Sequence, residues 1–201
     1  EPNPAKLSTL DQPLWSAVGD FDGTGVLDIA TSTDNDSGSV SDRVVILQEV
    51  DGETFISVSM FSVSGPPAAI AAEDADGDGL LDLVGRQGSS PVQAAVVFRG
   101  AGNDQFQQWG QLVPGNLNQT GIGAPLVRDL NLDGISDIVC NSVFLGTGAG
   151  AFSPAAPPFV STVGAADLDA DGIVDLLTTD SSSLNAWLGV GDGQFNFVSQ
   201  N

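Results

Sequence analysis

The sequence predicts an all-β fold: a β-propeller of four blades, each a four-stranded antiparallel unit. Three observations predict it. An acidic ten-residue motif recurs four times, and each copy is followed by short β-type runs and a turn ending on phenylalanine. Nowhere does an apolar pattern of period 3.6 reach helix length.

The motif reads DFDGTGVLDI (20–29), DADGDGLLDL (74–83), DLNLDGISDI (129–138) and DLDADGIVDL (167–176). Position 1 is Asp20, Asp74, Asp129 and Asp167. Position 3 is Asp22, Asp76, Asn131 and Asp169, and position 5 is Thr24, Asp78, Asp133 and Asp171. Position 6 is always glycine. Position 7 is Val26, Leu80, Ile135 and Ile173, and position 9 is Asp28, Asp82, Asp137 and Asp175. Four copies in register outweigh the alternative that these are merely solvated acidic turns.

Each loop runs into a β-type segment (DIATST, LDLVGR, DIVCNS, VDLLTT), then a second one (RVVILQ, AAVVFR, SVFLG, NAWLGV). The turns that follow, EVDGETF, GAGNDQF, GTGAGAF and GVGDGQF, read as hairpins. A last strand comes after the turn, and one more precedes each loop, as in WSAVG, AAIAAE, APLVR and STVGAA. That content is one propeller blade. Repeat units are expected at about 14–62, 68–113, 123–155 and 160–200 of a single repeat domain, with 1–13 an extended, proline-rich lead-in. The step from Asp167 round through the termini to Asp20 matches the two longer steps. That match predicts closure, with the strand around LWSAVG completing the last blade.

Composition narrows the function. With 26 acidic and 5 basic residues, a formal charge of −21, the chain has no basic face for phosphates or anionic lipid. No apolar run approaches the ~20 residues of a membrane span, so neither nucleic acid nor membrane insertion is expected. The absence of histidine removes the commonest general base and histidine-based zinc sites. No enzyme is expected. The single cysteine, Cys140, reads as a small buried hydrophobe.

The loop chemistry points to a hard cation. Calcium takes 6–8 oxygens at roughly 2.3–2.6 Å, and alternate residues of a tight loop converge. Positions 1, 3 and 5 supply side-chain oxygens, position 7 a backbone carbonyl with its aliphatic side chain buried, and position 9 the closing carboxylate. An EF-hand is excluded, because its twelfth position requires glutamate and here that place is Gly85. Up to four Ca2+ are expected. Carboxylate count ranks loops 74–82 and 167–175 above 20–28 and 129–137.

The motif D-x-[DN]-x-D-G-x-x-D-[IL], inside a β unit ending in GxGDGxF, resembles the FG-GAP or VCBS repeat of integrin α-subunit propellers and many secreted propeller proteins. The resemblance implies a propeller with a Ca2+ in each loop. Thr24 and Asn131 depart from the pattern, and four repeats stand where the family usually has seven or eight blades.

The expected role is that of a secreted or cell-surface module for adhesion, protein binding or extracellular assembly. The alternatives are a carbohydrate-binding lectin, a self-assembling fibre subunit joined through edge strands, and an accessory domain of a larger secreted enzyme. The chain opens on Glu1 without a basic-then-apolar leader, as expected of a processed chain or a segment of something longer. Trp15, Trp109 and Trp187 fall at unmatched repeat positions and are expected to pack rather than bind sugar. Asn35 and Asn118 fit the glycosylation sequon.

Overall fold

A computed structural model describes residues 12–34, 43–51, 54–63, 69–87, 94–112, 124–140, 142–148, 150–155, 162–180 and 182–198. Their strands form four separate antiparallel sheets, each of four strands consecutive in sequence. Sheet I holds β1 (Gln12–Gly19), β2 (Asp28–Asp34), β3 (Arg43–Glu49) and β4 (Phe55–Ser62). Sheet II holds β5 (Ile70–Glu73), β6 (Asp82–Gln87), β7 (Ala94–Gly100) and β8 (Phe106–Leu112). Sheet III holds β9 (Leu126–Arg128), β10 (Asp137–Val139), β11 (Val143–Gly146) and β12 (Phe152–Pro154). Sheet IV holds β13 (Thr162–Ala166), β14 (Asp175–Thr179), β15 (Leu184–Gly189) and β16 (Phe195–Phe197). In every sheet the acidic loop joins the first strand to the second.

One expectation is corrected here. The strand around LWSAVG does not complete the last sheet; it is β1, paired with β2 from Gln12↔Asp34 to Gly19↔Asp28. Sheet IV supplies all four of its own strands. The physical reason is loop length: the acidic loop brings β1 onto β2 at a far smaller entropic cost than closure across the whole chain. β1 already begins at Gln12, within the proline-rich lead-in, of which residues 1–11 lie outside the described residues.

Continuous apolar runs mark strands buried on both faces. Along β7, Val96 and Phe98 pack toward sheet I, while Ala95 and Val97 pack toward sheet III. In β6, Leu83 and Val84 divide between the same two seams, as Ile138 and Val139 of β10 do one seam further on. The period of two along a strand produces this division. Three apolar seams therefore join the sheets in series. In the first, Phe61 lies 4.9 Å from Phe98, and Phe21 meets Phe106 edge-on at 5.5 Å. Cys140 is buried in the second seam, as expected.

Two loop positions knit each seam. The residue at position 2 faces the following sheet: Phe21, Ala75 and Leu130 are each buried. The residue at position 8 faces the preceding sheet: Leu81 packs on the first seam, Val174 on the third, and Ser136 Oγ donates to the Asp74 carbonyl at 3.0 Å. At the outer ends of the series no sheet packs on these positions among the described residues, and Leu168 and Leu27 are 45% and 60% exposed.

Glycine is required where the turn backs onto the loop. A Cβ on Gly100, Gly146 or Gly189 would overlap the carbonyl oxygen of Leu81, Ser136 or Val174. Because the obstacle is backbone, relief requires separating two ladders. Gly146→Ala is expected to cost about 3 kcal/mol, the upper end of overpacking. The melting midpoint should fall by roughly 6–12 °C at this chain length. A thermal melt within 2 °C of wild type would show that the loop yields instead.

Candidate metal centres

All four loops adopt one backbone conformation. Positions 4 and 6 both lie at positive φ, from 78° to 88° where glycine stands; Leu132 and Ala170 take position 4 at 61° and 64°. The side chains of positions 1, 3 and 5 impose this shape by accepting the loop's own N–H groups. In loop 2, Asp74 takes Gly77 N–H at 2.8 Å and Gly79 N–H at 2.9 Å, Asp76 takes Asp78 N–H at 3.0 Å, and Asp78 takes Leu80 N–H at 2.9 Å. Loops 1, 3 and 4 repeat the bonds to the N–H groups of positions 5, 6 and 7, with Thr24 Oγ1 serving at position 5 of loop 1. The second bond to the position 1 aspartate comes from Gly23 N–H in loop 1, but from the position 5 N–H of Asp133 and Asp171 in loops 3 and 4. Each carboxylate oxygen has a further lone pair, so turn-making and ion-binding are compatible.

Position 9 anchors the loop to its sheet. Asp82 is fully buried; it accepts Ala75 N–H at 2.9 Å and, from the far side, Gly100 N–H at 2.8 Å. Asp137 and Asp175 hold the equivalent pairs, Leu130 with Gly146 and Leu168 with Gly189. Asp28 accepts Phe21 N–H at 3.2 Å and the Glu49 N–H. Burial pushes the Asp82 carboxyl up to about 6 and raises Asp28 and Asp137, against the lowering pull of these N–H groups. Asp22 is lowered, first by the Thr24 hydroxyl, and Asp78 first by Leu80 N–H and then by Arg99.

The fold gathers carboxylate oxygens in three of the loops. Asp20, Asp22 and Asp28, then Asp74, Asp76 and Asp78, then Asp167, Asp169 and Asp175 each bring oxygens within 4.8 Å of one another. Oxygens on opposite sides of a calcium ion lie about 5 Å apart at most, so each donor set suits one hard divalent cation. Asp82 and Asp171 belong to their loops but not to these triads. In loop 3, Asn131 replaces the position 3 carboxylate that each triad contains, and its Nδ2 donates to Asp133 at 3.0 Å. Position 7 departs from expectation: Val26 and Leu80 are 42% and 37% exposed, and Ile135 and Ile173 are half-buried. Their side chains lie on the surface above the turn glycines, Ile135 over Gly146 and Ile173 over Gly189, rather than in a seam.

Among the described residues, three polar side chains outside the motif stand out at these loops. Gln48 donates to Asp22, and Arg99 bridges loop 2 with Nε and a terminal nitrogen each 2.8 Å from Asp76 and Asp78. Both come from the last part of a third strand, where sheets III and IV carry Leu145 and Leu188. The third is Asp104, taken up below. Their signal in the sequence is a polar residue where sister repeats are apolar or glycine, and only the pairing of strands shows what it touches.

Arg99 lowers the net charge of loop 2 by one, although that loop has four ligand-position aspartates. Half-exposed ion pairs contribute about 1 kcal/mol or less. Arg99→Met is therefore expected to tighten cation binding at loop 2 by about three- to fivefold. Unchanged or weaker binding in a calorimetric titration would mean that Arg99 orders the loop rather than competing with the ion.

The tryptophans divide. Trp187 donates to Thr178 Oγ1 at 2.9 Å and packs 5.0 Å from Phe197. Trp109 packs into the second seam beneath the Arg99 guanidinium, 5.2 Å from its ring centre, and Trp15 is 43% exposed. Arg99, Gln107, Gln108 and Trp109 line a groove of about 320 Å³. Asn35, Asn118 and the acids Asp36, Asp42 and Glu53 lie outside the described residues. Among the described residues no helix is long and apolar enough to cross a membrane.

Four antiparallel sheets in series, each hinged on the same acidic loop, define an all-β repeat protein. Residues 74–140 match the FG-GAP-like repeat family, the stretch that carries the loops of sheets II and III. No curated protein matches the chain. Among solved structures it is similar to a lectin of Agrocybe aegerita, described as specifically recognising non-reducing terminal N-acetylglucosamine. That likeness has 18% identity and a TM-score of 0.60, and covers 93% of this chain and 51% of the lectin. A protein from Lactobacillus plantarum is similar at 15% identity and a TM-score of 0.59, with 92% of this chain and 54% of that one covered. The likeness is one of fold, and the chain spans about half the length of both structures.

Proposed function

We propose that the chain is a β-propeller-type binding module that works outside the cell, with structural calcium in its acidic loops and a protein or glycan as its ligand. The observation that carries this reading is the likeness of the four loops: positive φ at the same two positions, the same positions capping the turn, and carboxylate oxygens drawn together in three of them. A turn needs one aspartate to cap it. Three or four facing one another repel, and a cation relieves that repulsion. Extracellular calcium, at millimolar levels, suits the expected Kd of ~10⁻⁴–10⁻³ M for such modules. The role assigned to the metal is conformational, and the reading assigns the chain no catalysis.

Calorimetric titration of the metal-free chain tests it. Uptake of more than one Ca2+ per chain in that affinity range is expected, with little response to Mg2+. No uptake at about 10 mM would end the calcium reading.

Carbohydrate binding is the second reading, favoured by the groove at Arg99, Gln107, Gln108 and Trp109. An aromatic ring beside several polar donors and acceptors suits a sugar, and the Agrocybe lectin shares the fold. Binding to a glycan array, including N-acetylglucosamine-terminated chains, that is abolished by Trp109→Ala would favour it over protein recognition.

A further inference from the structure

The turn between β7 and β8 departs from those of sheets III and IV. Sheets III and IV carry Gly150 and Gly193 at its fifth place, at φ 71° and 78°. Sheet II has Asp104 there, at φ 59°, beside Asn103 at 52°. Left-handed backbone disfavours a Cβ, least of all for Asn and Asp, so a side chain stands here where the turns of sheets III and IV have none.

The direction of that side chain follows from the sister turns. A Cβ on Gly150 would run into Trp109, and one on Gly193 into Leu145, each on the preceding sheet. In sheet II the same direction leads to sheet I, and the Asp104 N–H donates to the carbonyl of Phe21, inside loop 1, at 3.3 Å. Asp104 is 6% exposed, and its Oδ1 is shielded and has no hydrogen-bond partner among the described residues. The charges it feels are those of Asp28, Asp22 and Asp20. Asp104 lies outside the 4.8 Å cluster of Asp20, Asp22 and Asp28 but within their field. A buried carboxylate with an unpartnered oxygen in such a field is destabilising unless something positive lies between them.

Loop 1 is also the loop that lacks a carboxylate at position 5, where Thr24 stands. Asp104 restores the number to four, equal to loops 2 and 4. We propose that Asp104 is a cation ligand supplied across the seam, so that the ion of loop 1 is held by Asp20, Asp22 and Asp28 of sheet I together with Asp104 of sheet II. The inference rests on the calcium reading of the loops and adds to it: this ion ties two sheets together, whereas an ion held by one loop stiffens only that loop. Loop 1 then joins the tight sites, against the ranking by motif carboxylates alone.

The test is calcium titration of the whole chain as wild type, Asp104→Asn and Asp104→Gly, with melts in chelator alongside. Asparagine keeps the size and tolerates left-handed backbone, and glycine matches the turns of sheets III and IV. One binding event should weaken by about tenfold or more in both variants, with the remaining events unchanged. In chelator, Asp104→Gly should melt at or above the wild-type temperature, because strain and a repelling charge are both gone. Variants that bind calcium as wild type does overturn the proposal alone, whatever their melting temperatures. A wild-type chain that takes up no calcium overturns the calcium reading, and this proposal with it.

Discussion

Transfer from about 10 mM calcium to chelator is expected to lower the melting midpoint at neutral pH by roughly 6–20 °C. The magnitude follows from mass action. At a Kd of ~10⁻⁴–10⁻³ M, that concentration stabilises by about 1.4–2.7 kcal/mol for each occupied site. Two occupied loops suffice for the stated shift at roughly 2–4 °C per kcal/mol for a chain of this size. The pH dependence should change sign with the metal. Burial raises Asp82 to about 6, and burial followed by Asp28, Asp22 and Asp20 raises Asp104 to about 6. A raised carboxyl contributes stability below its unfolded value, near 4, and that stability is lost as pH rises through 6. Metal-free protein should therefore melt higher at pH 5 than at pH 7.5. Asp22, Asp78 and Asp180, which are lowered, oppose this only as pH falls below about 4. With calcium present the order should reverse, because ligand carboxylates must lose their protons to bind. Differential scanning calorimetry at the two pH values, with and without calcium, decides it; the same pH trend in both conditions would mean that the buried acids are not the ion's ligands.

Replacing Asp137 by alanine should cost about 3 kcal/mol even in chelator. The side chain is fully buried, and its two oxygens accept Leu130 N–H and Gly146 N–H, each at 2.8 Å. Removing it leaves two buried donors without partners, at about 1–3 kcal/mol apiece. The gain from losing a desolvated carboxylate, itself raised by burial, offsets part of that. Loop 3 is the informative place for the experiment. It has only three motif carboxylates and in chelator no loop holds an ion, so the loss there reports the anchoring role apart from the metal. Asp137→Asn keeps one acceptor and should lose about half as much. Urea unfolding of the alanine variant within 0.5 kcal/mol of wild type would refute the anchoring role.

The loops were legible in the sequence because their determinants are local. The aspartate at position 1 accepts N–H groups three to five residues on, and glycine at position 6 marks a required positive φ. Strand order within each sheet follows from the same hairpins. The apolar runs AAVVF and VVIL mark strands in the sequence, and the structure buries them on both faces.

What only the tertiary structure decided lies across the seams. Arg99 on Asp76 and Asp78, Asp104 under loop 1, and the exposure of Leu27 and Leu168 at the ends of the series all depend on which sheets are neighbours. Repetition in a sequence says that units are alike, and it predicted an arc closed by β1 as readily as the open series observed. The physical reason is range. A ten-residue loop states its own hydrogen bonds, whereas a contact between neighbouring sheets is set by residues dozens of positions apart, in turns whose departures from the repeat acquire meaning only when the sheets are stacked.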